Sequence, residues 1–527
     1  MEKKPFYKKT EFKLFITTWI VYIFYMQMFG SSSMANTQSA LTAALVNEGR
    51  LEIDTYYRAG GNGNAFYNGH YYSGQAPGIS FLSVPIYFIG KHLFSLTPQG
   101  IIEQLYGMLE ERGKYLPEDW RGEKKVLSNY FPGLDKRKIL EYVLISGFIL
   151  PAFTTSLITA LSVILLYSLL RHFTADNKLR LLISLFYAFG TLLFPLSTEF
   201  FERPIAIALI FASFFILFKA KHAKSWHNKN ILLAGFLAGL STTFDYFHIA
   251  LAGLLFLYLL HFCAKKRAKA LKFMAFFSHG IKPLVYFIAG ILIPLFLLGL
   301  YHYSAFGSPF TTSYTYRYDP ESNAITISKL SNIVFPDLGV IFNMAVFFIY
   351  SPIIIIALYG LYAKLARKGN YFDEAVLAAA TAAVIFAFSA AVVLSLQANH
   401  PLAQSSFKRY LTPMLPFIFM FIPYSFPAQK LGKNFGMKAV FFSIGAVSVF
   451  MNWLSAQFGG HVALGHFDLQ AMKLVHILRL FEAGPSSSLL SALSEVLGIN
   501  PLPLNLIGLA FLAAVIYVIC GPLKRLG

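Results

Sequence analysis

The chain has 527 residues, of which 56% are hydrophobic, 17% aromatic and only 13% charged. Soluble globular proteins carry about 25% charged residues, so this composition excludes an ordinary soluble domain. The formal net charge of +19 comes in short basic clusters between apolar runs. That is the pattern of cytoplasmic loops, and it argues against a nucleic-acid partner. The two cysteines, Cys263 and Cys520, predict neither a disulfide framework nor a metal cluster.

Apolar runs of about 20 residues recur along the chain and predict membrane-spanning helices. The first run lacks a small-residue cleavage site, so we expect a retained span rather than a signal peptide. Orienting the runs by the basic clusters gives an all-α polytopic membrane protein of about twelve spans with both ends in the cytoplasm. The predicted spans are about 12–31, 141–170, 179–198, 204–219, 230–245, 246–263, 283–303, 340–363, 374–396, 411–427, 438–455 and 503–521.

A long outer loop, about residues 32–140, follows the first span. Residues 79–96 in this loop are apolar but short, and they contain Lys91 and His92. Treating them as a span would invert every later span and place the basic clusters outside. We therefore predict an interfacial or re-entrant helix there, and a second interfacial helix at 36–49 that Gly49 ends. Residues 97–137 mix both signs of charge and predict a solvated elaboration.

Polar residues collect at the outer ends of the predicted spans. Asp54 lies in the first outer loop, and further groups lie at the turns after the third, fifth, seventh and ninth spans. Ionisable residues near membrane depth are unfavourable and are candidates for function. Their convergence from separate turns predicts a site that opens to the outside. The residues at these turns are Glu199, Glu202, Arg203, Asp245 and His248, with the stretches 301–321 and 400–413.

The residue types narrow the chemistry. The chain has no glycine-rich phosphate loop before a basic helix, which argues against nucleotide hydrolysis, and no defensible Ser-His-Asp set. A carboxylate can take a proton from an acceptor hydroxyl. Basic side chains can hold a phosphate leaving group, and tyrosines can stack on sugar rings. These are the parts that a membrane transferase with a lipid-phosphate sugar donor needs.

Six stretches resemble, in chain order, signatures of a known family. They are TQSALTAALVNEGRLEID, NGHYYSGQAPGISFLSVPIY, FGTLLFPLSTEFF, FGSPFTTSYTY, FIYSPIIIIAL and FKRYLTPMLPF. The chain thus resembles bacterial glycosyltransferases of the GT-C superfamily, in the branch of the protein mannosyltransferases and aminoarabinose transferases. The resemblance covers about residues 12–425. It implies a first outer loop with interfacial helices, a polyprenyl-phosphate-linked sugar as donor, and an extracytoplasmic lipid, glycan or protein acceptor.

The same resemblance implies a division and a localisation. Residues 1–425 would form the transmembrane catalytic module with outer loop 32–140. Residues 426–527 would add C-terminal transmembrane helices and outer loop 456–502. The protein is expected in the cytoplasmic membrane, with its site on the extracytoplasmic side and in contact with membrane lipid.

The resemblance also implies roles for individual residues. Asp54 takes the place of the catalytic carboxylate, and Asp245 that of a second acidic group that assists or positions the acceptor. Arg409 matches a position suited to the donor phosphate. The chain has Gly74-Gln75 where the family commonly has Asp-Lys. This moves the phosphate role to Lys408, Arg409 or His70.

Further candidates for the substrate pocket are Glu202, Arg203, Gln75, His248, Tyr71 and Tyr72. Glu202-Arg203 replaces the Gly-His of the family and is compatible with a different sugar or acceptor. Each candidate has an ordinary alternative: a solvated loop aspartate or cap for Asp54, a surface ion pair for Glu202 and Arg203, and an aromatic belt for the tyrosines. Lys408 and Arg409 could snorkel to lipid head groups.

Three functional hypotheses remain from the sequence. The first is the glycosyltransferase, a hexosyl- or pentosyltransferase. The second is a transporter or flippase of a lipid-linked saccharide, which should show internal repeats and polar residues at mid-membrane. The third is a ligase that moves a whole glycan from a lipid diphosphate. No cofactor is expected. No metal is favoured, although Asp54 and Asp245 could hold a divalent ion if they approach each other.

Overall fold

A computed structural model describes residues 10–26, 33–115, 127–223, 227–268, 281–319, 324–325, 347–395, 409–426, 435–457 and 501–520. These residues are almost entirely helical. Six helices among them are long and apolar enough to cross a membrane, and one bent pair could add a seventh. The structure therefore confirms the coarse prediction of an all-α chain with membrane-spanning helices.

Fourteen longer helices follow one another in the described part of the chain. They are α1 Thr10–Phe24, α2 Ser33–Asn47, α3 Gly78–Ser95, α4 Gln99–Tyr115, α5 Lys136–His172, α6 Asn177–Phe189, α7 Glu202–His222, α8 Asn228–Phe244, α9 His248–Ala268, α10 Ile281–Phe306, α11 Ile353–Arg367, α12 Phe372–Ser395, α13 Phe435–Gln457 and α14 Pro501–Cys520. Helix α5 contains two π-helical segments, Ile145–Ile149 and Ala152–Ser156.

Shorter elements connect these helices. The short helices are Tyr57–Gly60, Leu127–Tyr130, Leu193–Ser197 and Leu415–Phe419, and the separate 3-10 segments are Gly61–Gly63, Ser313–Tyr316, Thr412–Met414 and Ile422–Ser425. Two antiparallel strand pairs complete the described residues, β1 Asn64–Tyr67 with β2 His70–Ser73, and β3 Tyr318–Asp319 with β4 Ala324–Ile325. The sequence analysis predicted neither pair.

Where their residues are described, most predicted spans coincide with a helix, but three of them are broken. The segment 340–363 is interrupted at Ser351 and Pro352, and its residues 340–346 lie outside the described residues. The segment 179–198 ends its first helix at Phe189 and resumes only for Leu193–Ser197. In the predicted span 411–427, the described residues 411–426 form one short α-helix between two 3-10 turns. Prolines at 413, 416 and 423 explain this break, because proline has no N–H to give to a helix. Residues 458–500, most of the predicted last outer loop, lie outside the described residues.

Between α1 and α5, the helices α2 and α3 lie at the positions where the sequence predicted two helices. Gly49 lies just after α2 with φ 65°, a left-handed conformation that suits a helix stop. Helices α3 and α4 meet at an angle of 115°, so this apolar pair is not one straight span. Lys91 Nζ donates to Asn47 Oδ1 at 2.6 Å and joins α3 to α2.

Glycines bring α8 and α10 into backbone contact. A Cβ atom on Gly235 would lie 2.0 Å from the Phe287 carbonyl oxygen, and one on Gly239 would lie 2.5 Å from the Ile291 oxygen. Across the interface, a Cβ on Gly290 would lie 2.2 Å from the Leu232 oxygen. Small residues permit such an approach between membrane helices. This contact fixes α8, and therefore the position of the turn that follows it.

The C-terminal helices pack against the first helix. Trp453 Nε1 of α13 donates to the Tyr25 hydroxyl at 3.1 Å, and Tyr25 donates in turn to the carbonyl oxygen of Gly508 in α14. Tyr25 and Trp453 lie within a core that is rich in buried aromatic rings. Hydrogen bonds between buried partners hold α1, α13 and α14 together.

Candidate functional site

Charged side chains from three separate segments meet where α7 begins, α8 ends and the segment 409–426 starts. We call this group the arginine cluster; it consists of Glu202, Arg203, Asp245, Arg409 and Tyr410. Arg203 Nε donates to Asp245 Oδ2 at 3.2 Å, and the two side chains are only 4% and 10% exposed. Asp245 Oδ1 accepts the backbone N–H of Phe247 at 3.2 Å. Both aspartate oxygens are therefore engaged.

The Tyr410 ring lies near both arginines. The Arg203 Cζ atom is 3.7 Å from the centroid of the Tyr410 ring, and the Arg409 Cζ atom is 6.0 Å from the same centroid. A guanidinium that stacks on an aromatic face gains a cation–π attraction and keeps its N–H edge for other partners. Tyr410 thus packs both guanidiniums without using their donors.

The arginine cluster is buried, and its formal charges balance. Glu202 and Arg203 are each 3% exposed, Arg409 is 6% and Asp245 is 8% exposed. Two positive and two negative groups offset one another, as buried charges must. Within the described residues, Arg203 Nη1 and Glu202 Oε2 make no hydrogen bond. Buried polar atoms without a partner are rare, and here they mark unused binding capacity.

Gln75, in the segment between α2 and α3, approaches the cluster through Tyr314. The Tyr314 hydroxyl donates to Gln75 Oε1 at 3.4 Å, and the Tyr314 ring packs edge-on against Tyr246, the neighbour of Asp245. Gly78 allows the close approach, because a Cβ atom there would lie 2.6 Å from the Thr243 carbonyl oxygen. The loop therefore packs directly on the end of α8.

His248 and His302 lie beside the cluster. His248 is fully buried at the start of α9, and its backbone N–H donates to the Asp245 carbonyl oxygen at 2.9 Å. Neither ring nitrogen of His248 makes a hydrogen bond within the described residues. His302 Nε2 and the Tyr246 hydroxyl lie 3.0 Å apart. These two imidazoles add polar groups beside the aromatic rings of Tyr246 and Tyr314.

Asp54 lies in a second polar group with His70. Asp54 Oδ2 is 2.7 Å from His70 Nδ1, and Asp54 Oδ1 accepts the backbone N–H of Tyr71 at 2.7 Å. The two side chains are 40% and 53% exposed. The hydrogen bond and charge of Asp54 raise the pKa of His70 above its usual value. Asp54 is thus a solvent-accessible carboxylate that a histidine holds in place.

The hairpin β1–β2 presents His70, Tyr71 and Tyr72. Its turn is Asn68-Gly69, with φ values of 49° and 86°, which is the residue pair that such tight turns favour. Tyr71 stacks on Tyr57 with ring centroids 4.3 Å apart. Burial, followed by the nearby Tyr318 hydroxyl, raises the pKa of Tyr71 to about 12. Its phenol is therefore neutral at physiological pH.

Tyr72 lies on the other side of the same strand. Its hydroxyl donates to Glu52 Oε1 at 3.3 Å, and its ring packs against Phe306. Glu48, the other acidic neighbour of Asp54 in sequence, pairs with Arg50 at 3.0 Å. Glu52 and Glu48 therefore both contact side chains within the segment between α1 and α5.

The sequence-predicted residues thus fall into two groups. Glu202, Arg203, Asp245, His248, Arg409 and Gln75 lie at the arginine cluster, whereas Asp54, His70, Tyr71 and Tyr72 lie on or beside the hairpin. Within the described part of the chain, Asp54 makes no direct contact with Asp245 or Arg409. Five residues of extended chain, about 16 Å at most, separate His70 from Gln75. Lys408 lies outside the described residues.

Sequence reasoning did not single out Tyr410, Tyr246, Tyr314 or His302. Tyr314 and His302 lie in the tyrosine-rich stretch 301–321, and Tyr410 directly follows Arg409. The positions of these residues in the sequence did not indicate a shared site. Tyr410 and Arg203, for example, are in contact but lie about two hundred residues apart in the chain. Among the described residues, no group of three His, Cys, Asp or Glu side chains is arranged to hold a metal ion.

No protein-family model matches the chain, and neither does any curated protein or solved structure. The fold and the buried polar residues at its helix ends define a helical multi-pass membrane protein.

Proposed function

We propose that this protein is a membrane glycosyltransferase that moves a sugar from a polyprenyl phosphate to an extracytoplasmic acceptor. One observation carries the proposal: two buried guanidiniums, Arg203 and Arg409, lie near the same Tyr410 ring, at the helix ends that the charge pattern predicts to face outward. Guanidinium forks bind phosphate oxygens through paired N–H donors. The unused Nη1 of Arg203 is one such donor in a water-poor site, where charge interactions are stronger.

The two groups of residues divide the chemistry. Arg203 and Arg409 hold the donor phosphate, and Gln75 adds an amide donor where the GT-C resemblance has a lysine. Asp54 accepts the proton of the acceptor hydroxyl as that oxygen attacks the anomeric carbon. The bond between this carbon and the phosphate oxygen breaks, and polyprenyl phosphate leaves with the bonding electrons. Asp245 positions Arg203 rather than taking a proton, because its side chain is only 10% exposed and is paired with Arg203, whereas Asp54 is 40% exposed.

The finer topology belongs to the same proposal. Twelve spans with both ends inside accommodate every basic cluster. The broken helices at 179–198 and 411–427 count as spans in this arrangement. The bent pair α3–α4, with its angle of 115°, would lie at the outer interface of the cytoplasmic membrane. Residues 1–425 would then hold both polar groups, and residues 426–527 would complete the bundle.

The proposal can be tested in proteoliposomes that contain a panel of polyprenyl-phosphate sugars and a mixed acceptor extract. We expect the wild type to release polyprenyl phosphate. Asp54→Asn should still bind the donor without turnover, and Arg409→Gln should raise the KM for the donor. Glu103→Gln, at an exposed carboxylate of the same outer loop, should leave the rate unchanged.

Other results would replace the proposal. Labelled lipid that crosses the bilayer with no loss of its sugar would identify a flippase. Transfer of a whole glycan from a lipid diphosphate would identify a ligase. Full turnover by Asp54→Asn would remove the assigned base, even if transfer itself were observed.

A further inference from the structure

A second polar region lies at the opposite end of the helices that carry the arginine cluster. There, a cavity of about 540 Å³ is lined by Lys221, His222, Lys265, Lys368, Asn370 and Asp373. Helix α7 begins at Glu202 and ends at His222, so its 21 residues separate the two regions by about 31 Å. That length matches the hydrocarbon core of a bilayer. The cavity thus lies at the end that the basic clusters predict to be cytoplasmic.

Lysines outnumber carboxylates around the cavity. Lys221 Nζ lies 2.6 Å from Glu374 Oε1 and 3.1 Å from Asp373 Oδ2. Lys265 Nζ lies 3.3 Å from Asp373 Oδ2. Lys368 makes no ion pair within the part of the chain that the structure describes. Three ammonium groups therefore accompany two carboxylates. The cavity retains a positive excess that an anion can neutralise.

An unusual turn holds Lys368 and Asn370 at the cavity. Lys368, Gly369 and Tyr371 have φ values of 45°, 92° and 64°, and positive φ is unfavourable for the two that are not glycine. Lys364, only 5% exposed, donates from Nζ to the Lys368 carbonyl oxygen at 2.9 Å. Such strain persists only where the surrounding structure enforces it, and it clusters at functional sites.

Tyr371 anchors the other end of this turn. Its ring packs against Phe173 with centroids 4.7 Å apart and stacks on Phe218 at 6.0 Å. These contacts tie the turn to α7 and to the residue that follows α5. The lysine side chains of the cavity therefore come from rigid elements, α7, α9 and the anchored turn. A preorganised site loses less entropy when it binds a ligand.

We propose that this cavity binds a phosphate group of an anionic phospholipid in the cytoplasmic leaflet. Lysine ammonium groups bind phosphate as point charges, and basic pockets between membrane helices suit anionic head groups. The volume lies within the range of small-molecule sites, and Asn370 offers an amide donor. Asp373 does not exclude the anion, because Lys221 and Lys265 already neutralise it. The site is independent of the proposed transfer activity.

The test compares two pairs of substitutions in the purified full chain. Lys265→Gln with Lys368→Asn removes two cavity lysines. Lys178→Gln with Lys229→Gln removes two exposed lysines from the same predicted side of the membrane, so the change in net charge is identical. Native mass spectrometry and equilibrium binding would measure short-chain phosphatidylglycerol, with inorganic phosphate as a separate probe.

We expect the cavity pair to weaken phosphatidylglycerol binding about 25-fold, at about fivefold per lysine. The control pair should stay within twofold of the wild type. Lys368→Asn alone keeps the Lys265–Asp373 contact and should lose about fivefold, which provides a second test if the double variant is unstable. If the wild type binds inorganic phosphate but not phosphatidylglycerol, and the cavity variants lose this binding, the cavity is an anion site for free phosphate and not for a lipid. Equal loss in both pairs, or no loss in the cavity pair, would overturn the proposal.

Discussion

Replacement of Asp245 by alanine tests whether the arginine cluster is an energetic unit. The change removes the acceptor of the Arg203 Nε–H and leaves a guanidinium that is only 4% exposed. Asp245→Asn keeps the side-chain volume and one acceptor oxygen but removes the charge. The two variants therefore separate the loss of charge from the loss of the hydrogen bond.

The structure sets the expected magnitude. At 3.2 Å, two unit charges attract by about 5 kcal/mol in an effective dielectric of about 20. Removal of one partner of a buried pair costs about 3–5 kcal/mol, because the other charge stays buried. Tyr410 still stacks on Arg203 at 3.7 Å, and Glu202 still lies beside it. We therefore expect a loss of about 3 kcal/mol for Asp245→Ala and about half of that for Asp245→Asn.

The assay is reversible unfolding in mixed micelles, with Arg203→Met as the second arm of a double-mutant cycle. The double variant carries neither charge, so it should be more stable than the sum of the single losses by about 2 kcal/mol. Strict additivity, or an Asp245→Ala protein within about 0.5 kcal/mol of the wild type, would refute the view that this pair is a coupled buried unit.

Two further predictions concern the helix interface and the histidine of the hairpin. Gly235→Ala should destabilise the protein by about 1–3 kcal/mol, because its Cβ would lie 2.0 Å from the Phe287 oxygen. Gly253→Ala is the matched control in thermal unfolding, because a Cβ atom at Gly253 would have no neighbouring atom within 4 Å. This variant should be as stable as the wild type. Equal losses of stability in the two variants would contradict the packing argument. The second prediction concerns His70, whose pKa is raised by Asp54. The stabilising contact between the imidazolium and Asp54 is therefore fully present below about pH 6.5, the usual pKa of histidine. It is lost as the pH rises through the raised pKa. Carbethoxylation requires the neutral imidazole, so the rate of His70 modification should rise with pH with a midpoint above about pH 6.5. In Asp54→Asn this midpoint should fall. An unchanged midpoint would show that Asp54 does not stabilise the imidazolium.

The sequence by itself determined which segments are helical and where the polar residues would collect. Runs such as 204–219 and 283–303 became α7 and α10, because lipid solvation and backbone hydrogen bonding act locally on every residue of a run. The helices 36–49 and 79–96 were also recognisable from composition. The turns that carry Glu202, Asp245 and Arg409 could be named from the sequence, since ionisable residues stand out against an apolar background.

Only the tertiary structure decided which of these polar groups meet. Arg203 pairs with Asp245 and stacks on Tyr410 because the glycine contacts between α8 and α10 and the proline-broken segment 411–427 fix three distant turns. The same packing leaves Asp54 in contact with His70, which lies on a hairpin that the sequence analysis did not predict. Contacts of this kind depend on distances between elements that are far apart in the chain. Local composition does not encode them, and so the pairings had to come from the fold.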